Sequence, residues 1–232
     1  MKKIGILIPA TSRKTKWKKI QDSYLYKYFI PSFNETLCSN HKYIIYLGID
    51  KGDRIYDNEE NQKILKSMTN IEIKFIILGI KKWLLTAMWN KLFKQAFEEE
   101  CDYFYQCGDD IKFLTPGWVS KSISVLQDNN NIGITGPINI NGKRSILTQT
   151  FVSRKHMQIF GYYFTEKIHN TFCDDWINIV YGKYVYKLKN FKIINASWKD
   201  VGERYHPYRK MPRNEIYKEG KIIFKKYLKK IN

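Results

Sequence analysis

Residues Gly108-Asp109-Asp110 break the run "CDYFYQCGDDIKFLTPGW" with two adjacent carboxylates. Side by side the two charges repel, and Lys112 is the one cation in that run. An aromatic, strand-like segment precedes them, which puts the pair at a strand end. Adjacent carboxylates there suit a hard divalent cation, which takes oxygen ligands and often shares them with substrate phosphates. Three other readings of the same residues stay open. One is an ordinary Asp-rich turn running into Pro116-Gly117. Another is the Gly-Asp-Asp turn of a polymerase palm, for which the chain is short and no partner carboxylate motif comes earlier. The third takes Asp110-Ile111-Lys112 as the D-x-K of a metal-dependent nuclease.

A second acidic pair, Asp174-Asp175, opens the helical stretch "DDWINIVYG". A carboxylate at a helix N-terminus is held ionised by the helix dipole and is placed to take a proton from a substrate hydroxyl. The plain alternative is an N-cap, which needs only one acid. Trp176 stands beside the pair. Late in the chain, "RYHPYRKMPR" gathers Arg204, His206, Arg209 and Lys210. His156 and His169 both precede the second acidic pair and match no specific pattern.

These groups must be positioned by a framework, and the first two-thirds of the chain alternates strand and helix signals. "KIGILIP", "KYIIYLGID", "IEIKFIILG" and "DYFYQCG" are apolar runs of strand length. Between them lie helical patterns over Trp17–Leu37, "NEENQKILKSM" and Trp83–Glu100, the last with Leu85, Met88, Leu92 and Ala96 on one face. Buried strands separated by helices imply parallel pairing and an α/β fold. A helix over Val119–Gln127 and a strand near "IGITGP" follow. Then come an extended "SILTQTFVSRK", the helix after Asp174 and a strand over "VYKLKNFKIIN". The tail from Ile216 reads as an amphipathic helix, apolar at Ile223, Phe224, Tyr227, Leu228 and Ile231 and basic elsewhere. In parallel sheets ligands bind beyond the carboxyl ends of the strands. Thr11-Ser12-Arg13, Asp50 and Asp109-Asp110 all fall there.

Composition agrees with a packed protein: 232 residues, 44% hydrophobic and 16% aromatic. Forty Lys and Arg against 22 Asp and Glu leave +18, a charge that calls for an anionic partner: nucleic acid, a membrane surface or substrate phosphates. Cys38, Cys101, Cys107 and Cys173 form no C-x-x-C pair, which argues against structural zinc and against a disulfide framework. No apolar run is long enough to cross a bilayer, and the opening "MKKIGILIPATSRK" lacks the long apolar core of a signal peptide. A cytoplasmic location is expected.

Together these segments resemble GT-A-fold glycosyltransferases, which use nucleotide-sugar donors and a D-x-D-type metal motif. The resemblance runs from the first strand to about His206 and is nearest to GT-A domains of large DNA viruses. "IGILIPATSRK" is similar to the family's opening strand and base-binding loop, and "LGIDKGD" to its second strand. "YFYQCGDDIKFLTPGW" resembles the metal strand with its Pro-Gly-Trp turn. "FVSRKHMQIFGYYFTEKIHNTFCDDWINIVYG" resembles the acceptor half. One departure stands out: Gly108 takes the place where the family often has the Asp that touches the ribose.

The resemblance implies a single GT-A domain over residues 1–210, a mainly parallel twisted sheet between helices, and a basic helix over 211–232. It implies transfer of a sugar, from a UDP-sugar by expectation, to a hydroxyl on a glycan, glycolipid or glycoprotein, as in hexosyltransferases. Manganese or magnesium would be held by Asp110 with Asp109 near and His206 completing the shell. Thr11, Arg13, Asp50, Asp109, Arg204 and Arg209 would bind the donor. Asp174 and Trp176 would bind the acceptor, and Asp175 would act as base in an inverting reaction. The tail helix would dock on the domain or touch an anionic membrane. The rival from another class is a nucleic-acid-binding protein or nuclease, with basic residues gathered on one face.

Overall fold

The structure, a computed structural model, describes residues 1–80, 84–142, 145–195, 204 and 211–231. Eight strands form one sheet in the order β3-β2-β1-β4-β7-β6-β8-β5. They are β1 (Lys3–Ala10), β2 (Lys42–Asp50), β3 (Glu72–Leu78), β4 (Tyr103–Gln106), β5 (Ile111–Phe113), β6 (Ile134–Asn139), β7 (Thr150–Ser153) and β8 (Val185–Asn195). The helices are α1 (Ile30–Thr36), α2 (Glu59–Ser67), α3 (Leu85–Glu98), α4 (Trp118–Asp128), α5 (Lys155–Phe160), α6 (Cys173–Tyr181) and α7 (Asn214–Ile231).

The sheet has two halves. In the first, β3, β2, β1 and β4 run parallel. The apolar runs of β1, β2 and β4 are buried on both faces, as parallel strands under two helical layers must be, while the edge strand β3 is partly exposed. Ile4, Ile6 and Ile8 of β1 join Phe29, Phe33, Leu65 and Trp118 in one core layer. Leu7 joins Leu92, Phe93, Phe104 and Trp176 in the other. Helices α1, α2 and α4 therefore cover one face, and α3, α5, α6 and α7 the other.

The second half is mixed: β7 runs antiparallel to β4 and β6, β8 parallel to β6, and β5 antiparallel to β8. Four of the seven described strand pairs are parallel, as a mainly parallel sheet requires, and the antiparallel pairs all lie from β4 onward. The sequence predicts a loop after Gly108, whereas Ile111–Phe113 forms a short edge strand. The link from β4 to β5 is far too short for a parallel crossover, so β5 pairs antiparallel with β8 instead.

The helix predicted over Trp17–Leu37 is broken into a 3-10 turn at Ile20–Asp22, a π-type stretch at Leu25–Phe29, and α1. Pro31, in the first turn of α1, cannot donate a backbone hydrogen bond, and the wide turn lies immediately upstream. At the chain's other end α7 docks by its apolar side: Gly220 and Phe224 are buried, and Ile216, Ile223, Tyr227 and Leu228 pack on the second core layer. No described helix is long and apolar enough to cross a membrane.

Candidate active site

The carboxyl ends of β1, β2 and β4 lie next to one another, because β1 pairs with both neighbours in parallel. That register brings Thr11, Asp50 and Asp109 together from loops far apart in sequence. Thr11 Oγ1 donates to Asp50 Oδ2 at 3.1 Å and lies 3.3 Å from Asp53 Oδ2. Asp53, which sequence reading did not single out, ties the first two loops together. It accepts from the backbone N–H of Ser12 at 2.7 Å, and from those of Ile55 and Tyr56 at 3.0 and 2.9 Å. Arg54 donates to the Thr15 carbonyl at 2.7 Å and also to the Trp17 carbonyl, so the loop after β1 is held in place from β2's side. Arg13 contributes its backbone N–H to Thr11 Oγ1, and its side chain is half-buried.

The two adjacent aspartates have different environments. Asp109 is 1% exposed and turned inward. Its two oxygens accept from the Arg204 guanidinium at 2.5 and 2.6 Å, and Tyr56 Oη reaches one of them at 3.2 Å. Arg204 also lies over the rings of Trp17 and Tyr24, 5.5 and 5.3 Å from their centroids. Asp110 is half-buried, and no side chain among the described residues donates to it. Burial, and then the charge of Asp109, push its carboxyl up to about 6, with Arg204 acting the other way. Asp109 thus accepts from Arg204 and Tyr56, whereas Asp110, expected as the main metal ligand with Asp109 near, accepts from no described side chain.

Gly108 has a steric reason to stand where the resembled motif has Asp. A Cβ there would lie 2.6 Å from Asp110 Oδ1, so any side chain would displace that carboxylate. One acceptor carboxylate at a strand end fits a hard cation that draws its remaining ligands from phosphates and water. Among the described residues there is no cluster of three or more His, Cys, Asp or Glu able to hold a metal alone. His206, Arg209 and Lys210 lie outside the described residues. Lys112 is exposed, between buried Ile111 and Phe113.

Beside Asp110 stands a row of carboxamides that sequence reading also missed. Asn195 pairs across the ladder with Ile111. Its Oδ1 accepts from Asn139 at 3.1 Å and lies 3.5 Å from Gln149 Nε2. Asn141 accepts from the Asn195 N–H and donates to the Asn195 carbonyl. The sequence signal is faint: four Asn and Gln at or beyond strand ends, in a chain rich in Asn.

The second acidic pair sits in the first turn of α6, with Phe172 rather than an acid at the N-cap position. Asp174 Oδ1 accepts from the Asp175 N–H at 3.0 Å, and both side chains are half-buried. Phe172 takes φ 74°, a left-handed conformation that costs a bulky residue about 1–3 kcal/mol. Phe172 precedes Asp174 by two residues, and residues held in such conformations cluster at functional sites. Asn178 ties α6 to Leu147 through two hydrogen bonds, at 2.8 and 3.1 Å.

Trp176 differs from expectation. It is 1% exposed, packed on Phe160 and Tyr162 and covered by Gly220 of α7, so its ring faces the core and offers no platform to a sugar. His156 is likewise internal. Its Nδ1 and Nε2 meet Tyr181 Oη at 2.7 Å and the Tyr163 carbonyl at 2.9 Å, and burial pushes its pKa down to about 4. The His169 carbonyl accepts from the Thr86 N–H at 3.1 Å. A groove of about 830 Å³ runs along the outer edge of β3, past Lys66, Glu72, Lys74 and Gln95, and holds none of the expected site residues.

No protein-family profile matches the chain, and no curated protein matches it in sequence. Solved structures do match. TarS of S. aureus superposes with a TM-score of 0.57 at 11% identity over 86% of this chain and 38% of that one. Its 1–349 fragment bound to UDP-GlcNAc gives 0.57 at 10% identity over 89% of this chain and 62% of the fragment. The same fragment bound to UDP gives 0.53 at 10% identity, over 83% and 60%. The chain thus spans less than two-thirds of each of these structures. At such identities the likeness establishes the fold: a mixed α/β domain similar to GT-A glycosyltransferase structures.

Proposed function

We propose that the protein transfers a sugar from a nucleotide-sugar donor, a UDP-sugar by first choice, to a hydroxyl acceptor. The observation that carries this reading is the gathering of Thr11, Asp50 and Asp110 at the carboxyl ends of adjacent parallel strands. The likeness in fold to a protein solved with UDP and with UDP-GlcNAc supports it. The proposed kinship with viral GT-A domains rests on the sequence motifs.

Asp50 and Thr11 bind the nucleoside, with Arg13 at the mouth of the same loop. Asp110 holds a divalent cation, manganese or magnesium, which when bound supplies positive charge to the leaving diphosphate. Asp109 holds Arg204 against the β1 loop. Arg204 donates to the Thr11 carbonyl at 3.3 Å, next to the proposed nucleoside site. On the acceptor side Asp175 takes the proton as the acceptor oxygen attacks the anomeric carbon. The bond from that carbon to the diphosphate oxygen breaks, its electron pair leaves with the diphosphate, and configuration inverts. Asp174, in the same first turn of α6, orients the acceptor.

A panel of nucleotide-sugars, each assayed with and without manganese for hydrolysis in the absence of acceptor, tests the reading. Metal-dependent turnover of at least one supports it, and turnover of none of them, with cleavage of nucleic acid instead, favours the nuclease.

A further inference from the structure

Helix α7 uses one side for the core and leaves the other to solvent. Lys218, Lys221, Lys225, Lys226, Lys229 and Lys230 are all exposed. The acids of the helix, Glu215 and Glu219, lie in its first half, and Glu219 pairs with Lys167 at 2.6 Å. From Lys221 onward the outer face has five lysines and no carboxylate. Amid them Ile222 is 52% exposed, and Ile231 at the end is 47% exposed.

We propose that this face docks on an anionic lipid surface. Lys218, Lys221, Lys225 and Lys229 recur at spacings of three and four and so form one row along the helix, with Ile222 beside it. Like charges at that spacing destabilise a helix by a few tenths of a kcal/mol per pair, a cost that an opposing sheet of negative charge removes. A lipid headgroup layer presents such a sheet, and the aliphatic side chain of Ile222 finds an apolar medium just beneath it. A nucleic-acid backbone would meet the lysines but offer nothing to the isoleucine. Because the apolar stripe of α7 is already spent on Phe224 and its neighbours, the contact is peripheral and electrostatic.

Docking would also place the catalytic side. Gly220 lets α7 cross α6 closely: a Cβ there would lie 2.6 Å from Val180 Cγ2 and 3.0 Å from Trp176 Nε1. The first turn of α6 bears Asp174 and Asp175, so the membrane surface would lie one helix away from the element that receives the acceptor. This consequence, a membrane-held acceptor, rests on the function proposed above. The docking itself does not.

The test is sedimentation of the full chain with vesicles, without nucleotide. One set is phosphatidylcholine alone and the other holds about one-third phosphatidylglycerol. The wild type is expected to pellet with the anionic set at physiological salt and to be released as salt rises. Lys221→Gln/Lys225→Gln/Lys229→Gln is expected to lose roughly 100-fold in affinity, about fivefold per lysine, with unchanged helix content by circular dichroism. Ile222→Ser is expected to lose a further few-fold. Equal binding to both vesicle sets, no binding by the wild type, or unchanged binding by the triple variant would overturn the proposal. So would a DNA duplex that displaces the protein from the vesicles. Since no nucleotide-sugar is present, failure here leaves the donor site untouched, and failure of the donor site leaves this result standing.

Discussion

Arg204 grips Asp109 with two hydrogen bonds, at 2.5 and 2.6 Å, across 95 positions of sequence. The carboxylate side chain is 2% exposed and the guanidinium 10%. A buried pair of this kind need not stabilise relative to apolar residues, but breaking it leaves a charge without a partner. Arg204→Ala is therefore expected to lower unfolding free energy by about 3–5 kcal/mol. Urea denaturation measures it. Restoring most of that loss with Asp109→Asn on top would show that the stranded carboxylate is the cause, and a single variant within 1 kcal/mol of wild type, an ordinary surface change by size, would mean that the pair does not form in solution.

The neighbouring acid should behave in the opposite way. Asp110 is kept from ionising freely by burial and by Asp109, so at neutral pH its charge works against the metal-free fold. Asp110→Asn is expected to stabilise the metal-free protein by about 1–2 kcal/mol at pH 7, an amount discounted for the partial exposure of the group. Differential denaturation of the two proteins in chelator checks this. A destabilised Asp110→Asn would place that carboxylate in the structural framework instead.

How far the sequence could reveal all this depended on range. Strands β1 to β3 were legible because seven to nine mostly apolar residues in a row leave few alternatives. Strand β5 was not, since three residues carry no period. The inequality of Asp109 and Asp110 was invisible because its cause, Arg204, arrives from the far end of the chain. Trp176 was misread although a local signal existed. Cys173, Trp176, Ile177, Val180 and Tyr181 recur at spacings of three and four, the mark of a core-facing stripe, and all five are buried. The aromatic beside an acid pair drew attention that the period should have overruled.

For Asp175 the expected behaviour separates chemistry from capping. Phe172, not an acid, occupies the N-cap position of α6, and the acids lie within the first turn. Asp175→Asn is expected to keep stability within about 0.5 kcal/mol and to lose transfer by about 10² to 10⁴-fold. Steady-state kinetics of Asp175→Asn and Asp174→Asn with the same donor compare the two. Near-normal turnover in Asp175→Asn with a large loss in Asp174→Asn would move the base by one residue.

His156 gives the fold a pH dependence of its own. Its folded pKa is depressed to about 4, below the ordinary value of 6.5. Between those values the unfolded chain takes up the proton and the folded protein does not. The stability contributed is thus full above pH 6.5 and lost as pH falls toward 4, in all roughly 3 kcal/mol. Urea midpoints of wild type and His156→Gln across that window check it: the wild type should show the steeper fall, and parallel curves would refute the assignment.

The most direct test of the donor site is a titration of UDP into wild type and Asp110→Asn, each with and without manganese, followed by calorimetry and by melting temperature. A ligand at about 100 times its dissociation constant stabilises the native state by about 2.7 kcal/mol. The wild type should show that gain with UDP and manganese together and little with either alone. Asp110→Asn, equally well folded, should show none. Equal UDP binding by both proteins, or binding indifferent to the metal, would contradict the account.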